Sequence, residues 1–113
     1  MPRYWLTPPE LAPEREGRFD PCPYPKPVDW DALTMPWSKP WYANPPFATI
    51  VKFVRRAVDI GGPGTLVFPV TTSTNILLRA GARLEPLGRV HWIDADTGAR
   101  DPKGNETALA RLS

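Results

Sequence analysis

Trp41-Tyr42-Ala43-Asn44-Pro45-Pro46-Phe47 decides how this chain is read. Three apolar residues meet an amide, two prolines and an aromatic, and a helical pattern begins just beyond. Residues 40–43 read as a short buried strand. Ile50, Phe53, Val54, Ala57 and Val58 then recur at helical spacing, with Lys52, Arg55, Arg56 and Asp59 elsewhere on the wheel. Gly61-Gly62-Pro63-Gly64 stops that helix. The pattern is a strand, a stiff loop and an amphipathic helix.

Working toward the C-terminus, residues 65–70 form a continuous apolar run, expected as a strand covered on both faces. Thr71-Thr72-Ser73-Thr74 reads as a polar loop and 75–82 as a short helix. Residues 83–87 and 89–94 are expected as strands meeting at Gly88. The tail, 96–113, is expected to hold only a weak helix over 106–112, with no closing apolar strand after residue 95. Strands alternating with helices give an α/β domain with parallel strands and right-handed crossovers. Ligands in such sheets sit beyond the carboxyl ends of the strands, where residues 44–47 fall.

Toward the N-terminus, residues 1–17 read as a proline-rich arm and 18–113 as the domain. Pro8-Pro9-Glu10-Leu11 can open a helical turn that Pro13 would end. Arg18-Phe19-Asp20 is expected as a short strand. Pro21, Pro23, Pro25 and Pro27 alternate and enforce an extended loop. Asp29-Trp30-Asp31-Ala32-Leu33 is expected as a helical turn capped by Asp29.

Composition narrows the classes. A chain of 113 residues has room for one core. Of its 16 prolines, twelve precede residue 47, which excludes a helical bundle or a repeat array. The single cysteine, Cys22, cannot form an internal disulfide, and with one histidine, His91, the common zinc sites are excluded, so no metal is expected. No apolar run is long enough to span a membrane, and Met1-Pro2-Arg3-Tyr4-Trp5 lacks a signal-peptide core. A reducing cytoplasm is therefore expected. The net charge of +2 is weak, but residues 52–89 hold six basic residues (Lys52, Arg55, Arg56, Arg79, Arg83, Arg89) against Asp59 and Glu85.

The chemistry resides in Asn44-Pro45-Pro46-Phe47. Both prolines fix φ and lower the entropy cost of one loop shape. The Pro45 carbonyl and the Asn44 side-chain oxygen are acceptors, and two acceptors suit an amino group with two N–H donors. Phe47 offers a flat face for stacking a heterocycle. An aryl amine is a poor nucleophile because its lone pair is delocalised; fixed acceptors return density to nitrogen, and a sulfonium methyl held in line can then be transferred directly. The plainer reading is a proline pair that opens a helix.

The elements Arg18-Phe19-Asp20-Pro21-Cys22-Pro23, Asp29-Trp30-Asp31-Ala32-Leu33, Trp37, Trp41 to Phe47 and Leu87-Gly88-Arg89-Val90-His91-Trp92 together resemble the phage-type DNA N6-adenine methyltransferases. The resemblance covers about residues 18–95 in order. It implies a small, incomplete Rossmann-like fold that transfers methyl from S-adenosylmethionine to the N6 of adenine in double-stranded DNA, in a bacterial or phage-infected cell. It makes Asn44, Pro45, Pro46 and Phe47 the catalytic loop and places the methyl donor at Asp20, Pro21, Cys22 and Asn44. The chain departs from the wider methyltransferase pattern in lacking a glycine-rich cofactor loop; Asp20-Pro21-Cys22-Pro23 stands in its place.

Phe47, Tyr42, Arg55 and Arg56 are the candidate substrate contacts, although aromatics near a short strand also make core and basic helix faces are commonly just solvated. The base would have to leave the stack to reach Asn44. With no separate recognition domain, sequence specificity is expected to be either low or supplied by a partner or a second copy. Two other functions fit the same residues: a catalytically inactive remnant that binds DNA or a protein, and a methyltransferase acting on RNA or protein amino groups. His91 and Cys22 read as structural, and Asp29 and Asp31 as equally caps or base contacts.

Overall fold

The computed structural model describes residues 5–113, with side chains from Leu6 onward. In chain order the elements are β1 (Trp5–Leu6), a 3-10 turn (Pro9–Leu11), α1 (Ala12–Arg15), β2 (Trp41–Ala43), a 3-10 turn (Phe47–Thr49), α2 (Ile50–Ile60), β3 (Gly64–Pro69), α3 (Thr74–Arg79), β4 (Arg83–Val90), β5 (Ile93–Asp94) and β6 (Asn105–Leu112). Strand, proline loop and helix around residue 44 thus form where the local signals place them.

The main sheet runs β2-β3-β6-β4 and is mixed. β2 pairs parallel with β3, whereas β6 runs antiparallel to both β3 and β4. β2, β3 and β4 therefore point the same way. Phe19 extends this set through a parallel bridge to Trp41. The carboxyl ends of Phe19, β2, β3 and β4 share one edge of the sheet.

Two expectations are corrected here. Residues 105–112 are not a weak helix but a strand, and it lies inside the sheet. Its Ala108, Leu109 and Ala110 are buried on both faces, so it shows no alternation of polarity. The sheet is consequently not all parallel, and a closing strand after residue 95 is present. Residues 83–90 form one strand rather than ending at Gly88. A bulge between Pro86 and Gly88, with Gly88 at φ 74°, bends that strand without breaking it. The following β5 leaves for a two-stranded sheet with β1.

Each face of the main sheet has its own core. Trp41, Ala43, Leu66, Phe68, Ala108, Ala110 and Leu112 pack on α2 (Ile50, Val54, Ala57), on Leu77 of α3 and on Trp37. Trp41 seats its ring against Gly64, where an added Cβ would lie 2.0 Å from the indole, and donates its Nε1–H to the Gly61 carbonyl at 2.9 Å. The opposite face carries Tyr42, Val67 and Leu109, covered by Leu11, Val90 and Trp92.

The N-terminal arm makes that second cover. Its first four residues lie outside the described residues. From Leu6 the chain crosses the face of Tyr42, burying Pro8 and Leu11. Pro13 does not end the turn; it lies in the first turn of α1, where a missing N–H costs nothing. Two forked contacts fasten the crossing: Glu10 accepts from Arg100 at 3.1 and 3.3 Å, and Glu14 from Arg111 at 3.1 and 3.0 Å. Arg18 then donates to Thr65 Oγ1, and Phe19 joins the sheet. The arm is part of the fold.

The helical turn expected in 29–33 starts two residues later: Met35 N donates to the Asp31 carbonyl at 3.0 Å, and the cap is Asp31 rather than Asp29. Asp29 takes φ 60° and caps nothing, while Asp31 Oδ1 accepts from Leu33 N at 3.0 Å. Trp30 and Trp37 tie this loop down through Nε1–H donation to Pro21 and Ala32 carbonyls, at 2.7 and 2.8 Å.

Candidate functional site

Side chains alternate along β2, so Tyr42 and the following Asn44 belong to the arm-covered face, as does Asp20 beside them. Asn44 is half-buried, Pro45 buried, Pro46 exposed and Phe47 half-buried. Pro46 takes φ −60° as the cap of the 3-10 turn that leads into α2, so the proline pair does open a helix as well as stiffen the loop. The Asn44 amide nitrogen donates to Thr7 Oγ1 at 3.2 Å. Among the described residues its Oδ1 accepts nothing.

Phe47 meets Trp92 edge to face, with centroids 5.7 Å apart and planes at 88°. Part of the phenyl ring is thus covered by Trp92, and any stacking partner has the remaining surface. Trp92 itself is buried, with an Nε1–H that finds no partner among the described residues.

Tyr42 lies entirely in the core. Among the described residues its hydroxyl makes no hydrogen bond of ordinary length; burial pushes the phenol up to about 12, with the neighbouring Thr7 hydroxyl pulling the other way. A substrate contact by Tyr42 is therefore corrected to a core role beneath the site. Removing an unsatisfied buried hydroxyl costs little. Tyr42→Phe is expected to leave the melting temperature unchanged or raise it by about 1–4 °C. A fall of more than that in a thermal melt would mean the hydroxyl is satisfied.

Asp20 accepts from Cys22 N at 2.8 Å, closing an Asx turn that holds Pro21 and Cys22. Burial raises its carboxyl above the ordinary value, against the Cys22 N–H and the Arg15 guanidinium, which favour the charged form. A carboxyl whose folded value exceeds its unfolded one binds its proton more tightly in the native state, so stability falls as pH rises through that window. Asp20→Asn keeps an acceptor for Cys22 and removes the charge. It is expected to melt about 2–5 °C above the wild type at neutral pH and to lose that margin in acid, where both side chains are neutral. A margin that persists in acid would show the charge is not its cause.

Cys22 is a half-buried thiol, pushed up to about 12 by burial and by the Asp20 carboxylate, which disfavours the nucleophilic thiolate.

The basic residues do not form one patch. Arg56 turns inward, donating through Nη2 to the Met35 carbonyl at 2.8 Å, with its Nε buried and unpartnered. It fixes the 30–37 loop and is corrected from a substrate contact. Arg89 donates to the Lys103 carbonyl at 2.7 Å and pairs with Glu106 at 3.5 Å. Arg83 begins β4 and lies at the edge opposite Asn44. Lys52 and Arg55, exposed on α2, remain near the loop without an ion pair among the described residues.

Thr71 to Thr74 leaves the carboxyl end of β3 on the Asn44 edge, with Ser73 at φ 67°. A concavity of about 280 Å³, open to solvent, is lined by Val70 to Ile76. A second lies at Arg83, Leu84, Glu85, Pro86 and Arg111. Neither includes Asp20 or Asn44. Among the described residues no cluster of His, Cys, Asp and Glu is fit to hold a metal, and no helix is long and apolar enough to cross a membrane.

No protein-family model, curated protein or solved structure matches this chain. The site therefore rests on its own geometry.

Thr7 is the residue that sequence reasoning missed. It lies in a stretch read as an arm, and a lone threonine before proline gives no local sign that it will meet Asn44, 37 positions away. Trp92, expected within a strand over 89–94, lies instead in the connection between β4 and β5.

Proposed function

We propose that this chain transfers a methyl group from S-adenosylmethionine to the N6 amino group of adenine in DNA, on a small Rossmann-like domain. The observation that carries the reading is the Asn44 amide. It stands at the carboxyl edge of the parallel strands, its nitrogen engaged by Thr7 and its oxygen open, on a loop stiffened by two prolines. With the Pro45 carbonyl, next along the chain, that oxygen would make the acceptor pair that an aromatic amine needs.

The residues present fit a donor that carries hydroxyl and ammonium groups. Asp20 is held by one oxygen in its Asx turn while the other accepts nothing among the described residues, and it follows Phe19, which bridges to Trp41 of β2. Bound there, the donor would supply an electrophilic sulfonium methyl. Asn44 and Pro45 would orient the amine and concentrate its lone pair, and the surplus proton would leave to water. Phe47 would stack on the base with the face that Trp92 leaves free. Lys52 and Arg55 would meet the phosphates.

Incubation with methyl-labelled donor and unmethylated DNA, RNA or protein tests this. Label at adenine N6 of DNA is expected. Label confined to RNA or protein would move the acceptor. A second reading, an inactive remnant that binds DNA or a protein, is favoured by one observation: the concavity lined by Val70 to Ile76 and that at Arg83 to Pro86 and Arg111 leave out Asp20 and Asn44. Titration calorimetry separates the two, since a remnant would give no heat with saturating donor.

A further inference from the structure

We propose that Thr7 is the positioning residue for Asn44, holding its amide so that the loop offers an acceptor and not a donor. This rests on the methyl-transfer reading above.

An asparagine amide has two orientations that differ by a half-turn. With oxygen outward it accepts from an amine; with NH2 outward it opposes the amine's own N–H groups. Nothing in the backbone of a half-buried Asn44 chooses between them. The choice falls to whatever engages the inner end of the amide, and that is Thr7 Oγ1, 3.2 Å from Nδ2. Accepting from Nδ2 leaves Oδ1 as the free end.

The hydroxyl is itself well placed for the task. Leu6 pairs with Ile93 on one side of it, and Pro8 is buried on the other. The residue before a proline is confined to extended backbone, and a β-branched side chain has few rotamers. Leu11 and the Glu10–Arg100 fork anchor the next turn. Beneath it lies the buried Tyr42 hydroxyl, on which Thr7 acts as a neighbouring donor, favouring the ionised phenol against burial. That leaves the Thr7 lone pairs for Asn44. A functional group held by a rigid second residue is what precise positioning requires.

The test uses the full chain with Thr7→Val, which keeps shape and loses the hydroxyl, and Thr7→Ser, which keeps the hydroxyl. The first readout is the Asn44 side-chain NH2 in nitrogen-15 spectra. In the wild type and in Thr7→Ser one of its protons is expected to exchange slowly with water; in Thr7→Val that protection is lost. The second is methyl transfer. Thr7→Val is expected to lower kcat by about 10- to 100-fold, with the KM for donor within about threefold, and Thr7→Ser to recover most of the loss.

Unchanged Asn44 exchange in Thr7→Val overturns the inference, whether or not the chain methylates anything. Wild-type kcat in Thr7→Val overturns it as well. A wild type that methylates no acceptor defeats the functional reading alone, and Asn44 exchange then decides whether Thr7 holds the amide.

Discussion

Asn44→Ala is expected to lower methyl transfer by about 10²- to 10³-fold, the usual effect of deleting one preorganised polar group at a reacting centre. The substitution removes one of two acceptors and leaves the Pro45 carbonyl in place. It also removes the contact with Thr7, a partly buried hydrogen bond worth about 1 kcal/mol. For a chain of this size that corresponds to a melting-point loss of about 4 °C. Activity and stability are therefore expected to part company. The fold survives because Asn44 belongs to neither core cluster, whereas Ala43 before it and Pro45 after it are buried. Asn44→Asp sharpens the result. A carboxylate keeps the acceptor character but loses the donor to Thr7, and it brings a second negative charge to the edge that Asp20 already occupies. It is expected to fall between alanine and wild type. Turnover retained in Asn44→Ala, measured with labelled donor on unmethylated DNA, would remove the amide from the mechanism.

The two largest differences between sequence and structure have one physical origin. The stretch from Trp41 to Ile60 was legible because its signals are local. Proline forbids a ladder partner, the spacing of Ile50, Val54 and Ala57 marks one helix face, and glycine ends it. The arm and the last strand owe their structure to residues far away. Leu11 and Pro8 are single apolar positions in a polar, proline-rich stretch, and no period reveals that they will cover Tyr42. Residues 106–112 are rich in alanine and leucine, which are strong helix formers, so propensity favours a helix. Pairing overrides it: Leu109 lies opposite Val67 on one side and Glu85 on the other. The candidate site divides in the same way. Asn44 to Phe47 could be read from the loop itself, as could Asp20 from its short strand. Thr7 over Asn44, Trp92 against Phe47 and the inward turn of Arg56 are tertiary contacts with no local mark.

The position of β6 makes Leu109 the most sensitive apolar residue to probe. It is fully buried on the arm side of the sheet, among Leu11, Tyr42, Val67, Val90 and Trp92. Leu109→Ala removes its methyl groups from a site that cannot collapse easily, because the sheet fixes it from beneath and the strapped arm from above. The expected cost is about 2–5 kcal/mol, read as a lower urea midpoint with an unchanged slope. In a domain whose whole stability is of the order of 5–15 kcal/mol, that is a large fraction. Val28→Ala serves as the comparison. Val28 is 92% exposed, and its replacement is expected to change stability by no more than about 0.5 kcal/mol. Hydrogen exchange gives an independent view, since the amides of Ala108 and Ala110, between β3 and β4, are expected to open only with global unfolding. A peripheral tail helix would behave differently on both counts: Leu109→Ala would cost under about 1 kcal/mol, and those amides would exchange at the rate of a fraying end. Either outcome would take the central strand away, and with it the arrangement that aligns the carboxyl ends of β2, β3 and β4 on the edge where Asn44 stands.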